Sequence, residues 1–137
     1  MDPRLSFVTL VVRDLAESRA FYIDGLGWPV EFESPDDVVM VRVGERVVLS
    51  LWQEASAVRE IGPIGRAEGP APITLAHNVA SPSDVDRVLA EASAAGATVL
   101  SEGAARDWGG YTGYFADPDG FRWEIAYNPG PIGLSVL

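Results

Sequence analysis

Two residues of this chain could do acid–base or metal chemistry from inside apolar, strand-like runs. His77 is the only histidine, and it lies in ITLAHNV at residues 73–79. Glu124 lies in FRWEIAY at residues 121–127, where strand alternation turns it away from the large apolar side chains. An imidazole and a carboxylate that meet can bind a divalent ion, or form an acid–base pair in which the carboxylate raises the histidine pKa. A structural histidine and a carboxylate paired with Arg122 are the alternatives.

The composition excludes several other kinds of chemistry. The 137 residues contain no cysteine and no lysine, so thiolate nucleophiles, thiolate metal sites, disulfides and lysine Schiff bases are excluded. The net charge of −10 disfavours nucleic acids and anionic membranes as partners. No apolar run is long enough to cross a membrane, and we expect a cytoplasmic protein.

The chain repeats one order of elements twice, a strand, a helix and three strands. The first copy has an apolar run at 5–12, a helix from Asp14 to about Leu26, and strand-like runs at 28–33, 37–43 and 46–53. The second has a strand at 73–79, a helix that starts within 81–84 and ends at Gly96, and strands near 97–101, 111–116 and 121–127. Residues 54–71, rich in glycine and proline, indicate a linker. We therefore predict one domain with module one at 1–53 and module two at 72–137.

The spacing within the repeats suggests which residues are equivalent. Phe7 lies seven residues before Asp14, and His77 lies seven residues before Asp84. This count matches Phe7 with His77. In the last strand of each copy, Leu-Ser-Leu at 49–51 corresponds to Trp-Glu-Ile at 123–125, which matches Ser50 with Glu124.

Two long stretches resemble the vicinal oxygen chelate superfamily, the glyoxalase/bleomycin-resistance/dioxygenase group. They are VTLVVRDLAESRAFYIDGLGW at 8–28 and GGYTGYFADPDGFRWEIAYNP at 109–129. The resemblance implies an α+β fold of two paired βαβββ modules that form a curved eight-stranded sheet with a concave cleft. It also implies a homodimer. In metal-dependent members, four cleft positions bind one divalent ion, one on the first and one on the last strand of each module. His77 and Glu124 match that pattern, whereas Phe7 and Ser50 depart from it.

This departure favours a depleted metal site and a small-molecule-binding protein. Two protein ligands are too few to hold Zn, Fe, Mn or Ni firmly, although Gln53 or a loop aspartate could add a third. Aromatic side chains near the expected cleft indicate a partly aromatic organic ligand. The residues predicted to contact it are Phe7, Ser50, Trp52, Trp108, Tyr111, Tyr114 and Arg122.

Whether the protein is an enzyme stays open at this point. One alternative is a metal-dependent lyase, isomerase or dioxygenase in which His77 and Glu124 are both metal ligands and catalytic residues. Another is a metal-free enzyme that uses the same two residues as an acid–base pair. A third is a scaffold protein whose cleft is filled by its own side chains.

Overall fold

The twofold repeat is present in the structure, a computed structural model that describes residues 1–66 and 69–137. The chain forms two compact units, Met1–Arg66 and Ala67–Leu137, which we call the first and second modules. The first contains β1 (Phe7–Val12), α1 (Leu15–Arg19), β2 (Phe32–Ser34), β3 (Val38–Gly44), β4 (Val47–Gln53) and α2 (Glu54–Ile61). The second contains β5 (Thr74–Asn78), α3 (Pro82–Ala95), β6 (Thr98–Ala105), β7 (Tyr111–Ala116), β8 (Arg122–Tyr127) and α4 (Pro131–Leu134). None of the helices described is long and apolar enough to span a bilayer.

Each module builds a four-stranded mixed sheet with the same strand order. The orders are β1-β4-β3-β2 and β5-β8-β7-β6. In both sheets the first and last strands pair in parallel, and the other neighbours pair antiparallel. The predicted α+β class and the repeated βαβββ order, eight strands in all, are thereby confirmed.

One face of each sheet carries the apolar core beneath the module's helix, and we call it the helix face. In the first module it includes the buried side chains of Leu10, Val12, Leu49 and Leu51. In the second module it includes Gly113, Phe115, Trp123 and Ile125, and Leu89 of α3 lies directly over Gly113. We call the opposite side of each sheet the far face. Strand alternation assigns every other residue of a strand to it.

The helix starts follow the capping signals in the sequence. The Asp14 carboxylate accepts from the backbone N–H groups of Ala16 and Glu17 at 2.9 and 3.1 Å, which caps α1. The helical segment continues through a π-helical turn at Ala20–Gly25 and ends before Gly27, whose φ is +72°. The predicted end of this helix is therefore correct.

The segment predicted to be a linker begins with a helix instead. Residues 54–61 read EASAVREI, which contains no glycine or proline and forms α2. The glycines and prolines that suggested a linker come only from Gly62 onward, where φ is +86° and the helix stops. The linker prediction also covered residues 67 and 68, which lie outside the described residues.

Candidate functional site

The start of α3 corrects the equivalence of the two modules. Ser81 is the N-cap of α3: its hydroxyl accepts from the backbone N–H of Asp84 at 3.2 Å and donates to the Asp84 carboxylate at 2.6 Å. Asp84 is thus the third residue of the helix, and Ser81 takes the place that Asp14 has in the first module. Seven residues before Ser81 stands Thr74. The predicted match of Phe7 with His77 is therefore wrong by three residues.

The strand pairing supports this correction independently. In the first module Phe7 pairs with Val48, two residues before Ser50. In the second module Thr74 pairs with Arg122, two residues before Glu124. Phe7 thus corresponds to Thr74, while the predicted match of Ser50 with Glu124 stands.

His77 and Glu124 lie on opposite faces of the second sheet. In the parallel pair β5–β8, His77 is in register with Ile125, whereas Ala76 is in register with Glu124. Residues in register on neighbouring strands point to the same face, so His77 shares the helix face with Ile125. Glu124 points to the far face. The predicted metal-binding or acid–base pair of His77 and Glu124 is therefore wrong, since the sheet separates the two side chains.

The surroundings of His77 agree with its place on the helix face. The residue is exposed, yet partial loss of hydration lowers the pKa of its imidazole below the usual 6.5, and the positive charge of Arg87 on α3 lowers it further. A carboxylate neighbour would act in the other direction. Both effects favour the neutral form of the imidazole, and the influence of Arg87 on α3 agrees with a position on the helix face.

The far face of the second module carries a polar cluster formed by Arg106, Tyr114 and Glu124. Tyr114 and Glu124 are opposite each other on β7 and β8, and the tyrosine hydroxyl donates to Glu124 Oε1 at 2.7 Å. Burial raises the Tyr114 pKa, and the hydrogen bond to Glu124 raises it further. The Arg106 guanidinium lies 5.9 Å from the centre of the Tyr114 ring, within the range of a cation–π contact. We call these three residues the Arg106 cluster.

Thr112 holds the Arg106 side chain in place. Arg106 Nε donates to Thr112 Oγ1 at 2.7 Å, and Nη2 donates to the Thr112 carbonyl at 3.1 Å. Thr112 itself is buried. Sequence reasoning missed Arg106 because it follows β6 in a loop, where no periodicity shows the direction of a side chain.

Arg122 lies on the far face, as its alternation with Trp123 indicates, and it is exposed. The predicted pairing of Arg122 with Glu124 is absent from the hydrogen bonds and ion pairs of the described residues. Glu124 accepts from Tyr114 instead.

Tyr111, one of the two other aromatic residues near β7, does not share a face with the Arg106 cluster. Tyr111 is on the helix face, where its hydroxyl donates to Asp86 Oδ1 of α3 at 3.0 Å, and this bond is the main cause that raises the Tyr111 pKa. The expectation that Tyr111 joins Tyr114 is therefore wrong. Trp108 is 56% exposed and its ring lies so close to Gly110 that a Cβ there would come within 1.8 Å.

The far face of the first module is mainly apolar. Phe7 is 53% exposed, Trp52 is half-buried, and Ser50 is only 4% exposed. Gln53 alternates to the helix face, where its amide accepts from Leu15 N at 3.0 Å and donates to the Arg13 carbonyl at 2.9 Å. Because both ends of the amide are used in fixing the start of α1, Gln53 does not fit the role of an extra metal ligand.

The corrected register identifies the residues at the four positions that the resemblance assigns to metal ligands. They hold Phe7 and Ser50 in the first module, and Thr74 and Glu124 in the second. A phenyl ring cannot coordinate a metal ion, and neutral hydroxyls are weak donors for Zn²⁺, Fe²⁺ or Ni²⁺. Across residues 1–66 and 69–137, no three or more histidine, aspartate or glutamate side chains are grouped to hold an ion. These side chains do not fit the metal centre of the metal-dependent members.

Known structures share this architecture. The chain is similar to a glyoxalase-related enzyme from Fulvimarina pelagi, with 34% identity, 93% of this chain and 89% of that chain covered, and a TM-score of 0.83. It is also similar to a glyoxalase/bleomycin resistance protein/dioxygenase from Nocardioides, with 26% identity, coverage of 95% and 87%, and a TM-score of 0.76. A lactoylglutathione lyase from Agrobacterium tumefaciens shares the fold at 22% identity, with coverage of 93% and 95% and a TM-score of 0.70.

The sequence itself points to the same group. No curated protein matches the chain significantly. A family model described as the glyoxalase/bleomycin resistance protein/dioxygenase superfamily matches residues 4–125. This range contains β1 to β7 and the first part of β8. The chain therefore belongs to the glyoxalase/bleomycin resistance protein/dioxygenase superfamily.

Proposed function

We propose that the protein binds a small, partly aromatic organic molecule without the divalent metal centre of the metal-dependent superfamily members. The observation that carries this proposal is the set of side chains at the four ligand positions. Phe7, Ser50 and Thr74 supply no strong metal donor there, so that Glu124 is left as the single carboxylate. One carboxylate ligand is too few for stable binding of a divalent ion at the concentrations available in a cell.

The far faces offer groups suited to an organic ligand. In the first module, the Phe7 ring is 53% exposed, and a ligand that covers it gains favourable apolar burial. Trp52 lies on the same face and can stack against a flat molecule. The far face of the second module, taken by itself, offers a cation, a hydroxyl and a carboxylate in the Arg106 cluster, which can bind polar groups of an organic molecule.

The alternative of a metal-dependent lyase, isomerase or dioxygenase loses its basis. It requires His77 and Glu124 around one ion, and the pairing of β5 with β8 puts them on opposite faces. A metal-free reaction that uses both residues as an acid–base pair fails for the same reason. We therefore propose ligand binding, and not a reaction that combines His77 with Glu124, as the function.

The test combines metal analysis with ligand binding. The protein is purified without added metal, its metal content is measured by mass spectrometry, and aromatic compounds are screened by thermal shift and calorimetry. We expect far less than one divalent ion per chain, and an affinity for the bound compound that a chelator does not change. One firmly bound ion per chain, whose removal abolishes ligand binding, contradicts the proposal.

A matched pair of alanine variants locates the ligand. Phe7→Ala removes an exposed ring from a far face, and we expect it to weaken binding of an aromatic ligand by roughly tenfold, the loss of about 1.4 kcal/mol of ring contact. His77→Ala removes an exposed ring from a helix face and serves as the control, with unchanged affinity expected. Equal effects of the two substitutions argue against a ligand on the far face.

We also propose that the protein is a cytoplasmic homodimer, as the resemblance to the superfamily implies. Light scattering coupled to size-exclusion chromatography should then give twice the mass of one chain. A monomer at micromolar concentration contradicts this part of the proposal and leaves the binding proposal intact.

A further inference from the structure

We infer that the ligand carries an anionic carboxylate-type group and that Arg106 binds this group. The inference rests on the proposed function, because it specifies the chemistry of the ligand on the far face of the second module. Its basis is the way in which Thr112 holds the guanidinium beside the Tyr114 ring, whose hydroxyl donates to Glu124.

The Arg106 guanidinium is held in place by Thr112, and one of its edges donates to no other described residue. A guanidinium has five N–H donors in a fixed plane. Thr112 accepts from Nε and Nη2 along one edge, at 2.7 and 3.1 Å. The Nη1 group and the second N–H of Nη2 form another edge with two parallel donors. This pair of donors matches the two oxygens of a carboxylate, which Arg binds in bidentate fashion.

The Arg106 guanidinium has no carboxylate partner among residues 1–66 and 69–137. Arg19, Arg42 and Arg87 each have a carboxylate oxygen within 3.3 Å. Arg106 forms no ion pair within the part of the chain that the structure describes, although acidic residues outnumber arginines by twenty to ten. The residue is only partly exposed, so its charge is screened less than that of a fully exposed arginine. An anionic ligand group supplies the missing counter-charge.

The remainder of the cluster sets the orientation of such a ligand. Tyr114 lies between the two charges, since its ring faces Arg106 and its hydroxyl donates to Glu124. The carboxylate of Glu124 repels an anion and attracts a hydrogen-bond donor. The anionic end of the ligand is therefore directed to Arg106, and a hydroxyl or amino group on the same molecule can reach Glu124.

Three probes of the same size but different charge test the inference. Benzoate, benzamide and benzylamine are titrated into the full-length protein, and binding is followed by calorimetry and by the NMR signals of the arginine Nε–H groups. We expect benzoate to bind with at least about tenfold higher affinity than benzamide, the difference that a charge-assisted hydrogen-bond pair supplies. The signal of Arg106 should shift with benzoate alone.

Three arginine variants identify the residue responsible. Arg106→Gln should reduce benzoate affinity to that of benzamide. Arg106→Lys keeps the charge but not the planar fork, so we expect an intermediate loss. Arg87→Gln removes the same charge from α3 and should leave benzoate binding unchanged. Thermal unfolding of each variant shows that it is folded, and the lysine variant keeps the test valid if the glutamine variant is unstable.

The outcomes separate this inference from the proposed function. Equal binding of benzoate and benzamide, no benzoate binding at millimolar concentration, or full benzoate affinity in Arg106→Gln each overturns the inference. If benzamide or benzylamine binds in those cases, the proposed binding of aromatic molecules stands. If none of the three probes and no compound of the aromatic screen binds, the proposed function fails as well.

Discussion

The direction of the His77 pKa shift distinguishes the observed strand register from the arrangement that the sequence predicts. In the structure, loss of hydration and the charge of Arg87 both disfavour the protonated imidazole, and we expect a pKa below 6.5. In the predicted arrangement, Glu124 would contact His77 and favour the protonated form. A carboxylate within about 4–6 Å typically shifts a pKa by roughly 1–3 pH units. The two arrangements therefore differ in the sign of the shift.

The measurement is direct because the chain has a single histidine. One pair of imidazole proton signals, followed by NMR between pH 4 and pH 9, reports this group alone. Arg87→Gln should raise the pKa of His77 only part of the way to 6.5, since loss of hydration is the larger cause. Glu124→Gln should leave the titration unchanged, because the carboxylate lies on the other face of the sheet.

The same shift has a consequence for stability. A pKa that is lower in the folded state than in the unfolded chain means that protonation favours unfolding. The contribution of His77 to stability is therefore present above pH 6.5 and is lost as the pH falls below that value. His77→Gln should remove this part of the pH dependence of the unfolding midpoint. A His77 pKa above 6.5 that falls in Glu124→Gln would refute both the register and the correction based on it.

Two further predictions concern the second sheet. Gly113→Ala places a Cβ 2.5 Å from Leu89 Cδ1, and we expect a loss of about 1–3 kcal/mol in the free energy of unfolding, measured by urea denaturation. The control is Gly65→Ala, whose Cβ meets no atom of the described residues within 4 Å. Equal losses in the two variants would contradict the packing of α3 on this sheet. Tyr114→Phe removes the hydrogen bond to Glu124 and should cost about 1 kcal/mol. The pKa of Tyr114 is raised in the folded state, so the contribution of Tyr114 to stability is present below pH 10 and is lost as the pH rises above that value. The free energy of unfolding should therefore depend less on pH in the alkaline range in Tyr114→Phe than in the unchanged protein. An absorbance titration of the tyrosines in both proteins checks the assignment, because the difference between the two profiles reports Tyr114; a difference centred at or below pH 10 would contradict it.

The architecture was predictable because its signals are local. Asp14 caps α1 through contacts within three residues, and Gly96 ends α3 at a φ of +110° that other residues avoid. In the turn before β8, Asp117 accepts from the N–H groups of Asp119 and Phe121 at 3.0 and 2.8 Å. Each signal is readable without knowing any distant contact, and the repeated order of elements followed from them.

The candidate site was harder to predict because strand faces depend on parity. Both Ser81 and Asp84 are good capping residues, and they are three positions apart. An error of three residues in a strand of period two exchanges the faces, which is why His77 appeared to share a face with Glu124. Tyr111 and Tyr114 are also three apart, so their opposite directions were already implicit in the sequence. The contact of Arg106 with Tyr114 depends on the β6–β7 connection, which no local pattern specifies.

The Arg106 cluster also explains how Glu124 can persist without a metal ion. In a metal-dependent site, a bound cation compensates the charge of the ligand carboxylates. If such an ion is absent here, as we propose, the carboxylate of Glu124 needs another source of compensation, because a partly buried charge is costly without one. Tyr114 supplies this compensation as a hydrogen bond at 2.7 Å. The Tyr114 hydroxyl thus stabilises the Glu124 carboxylate in place of an ion, and the charge of Arg106 stays available to an anionic ligand.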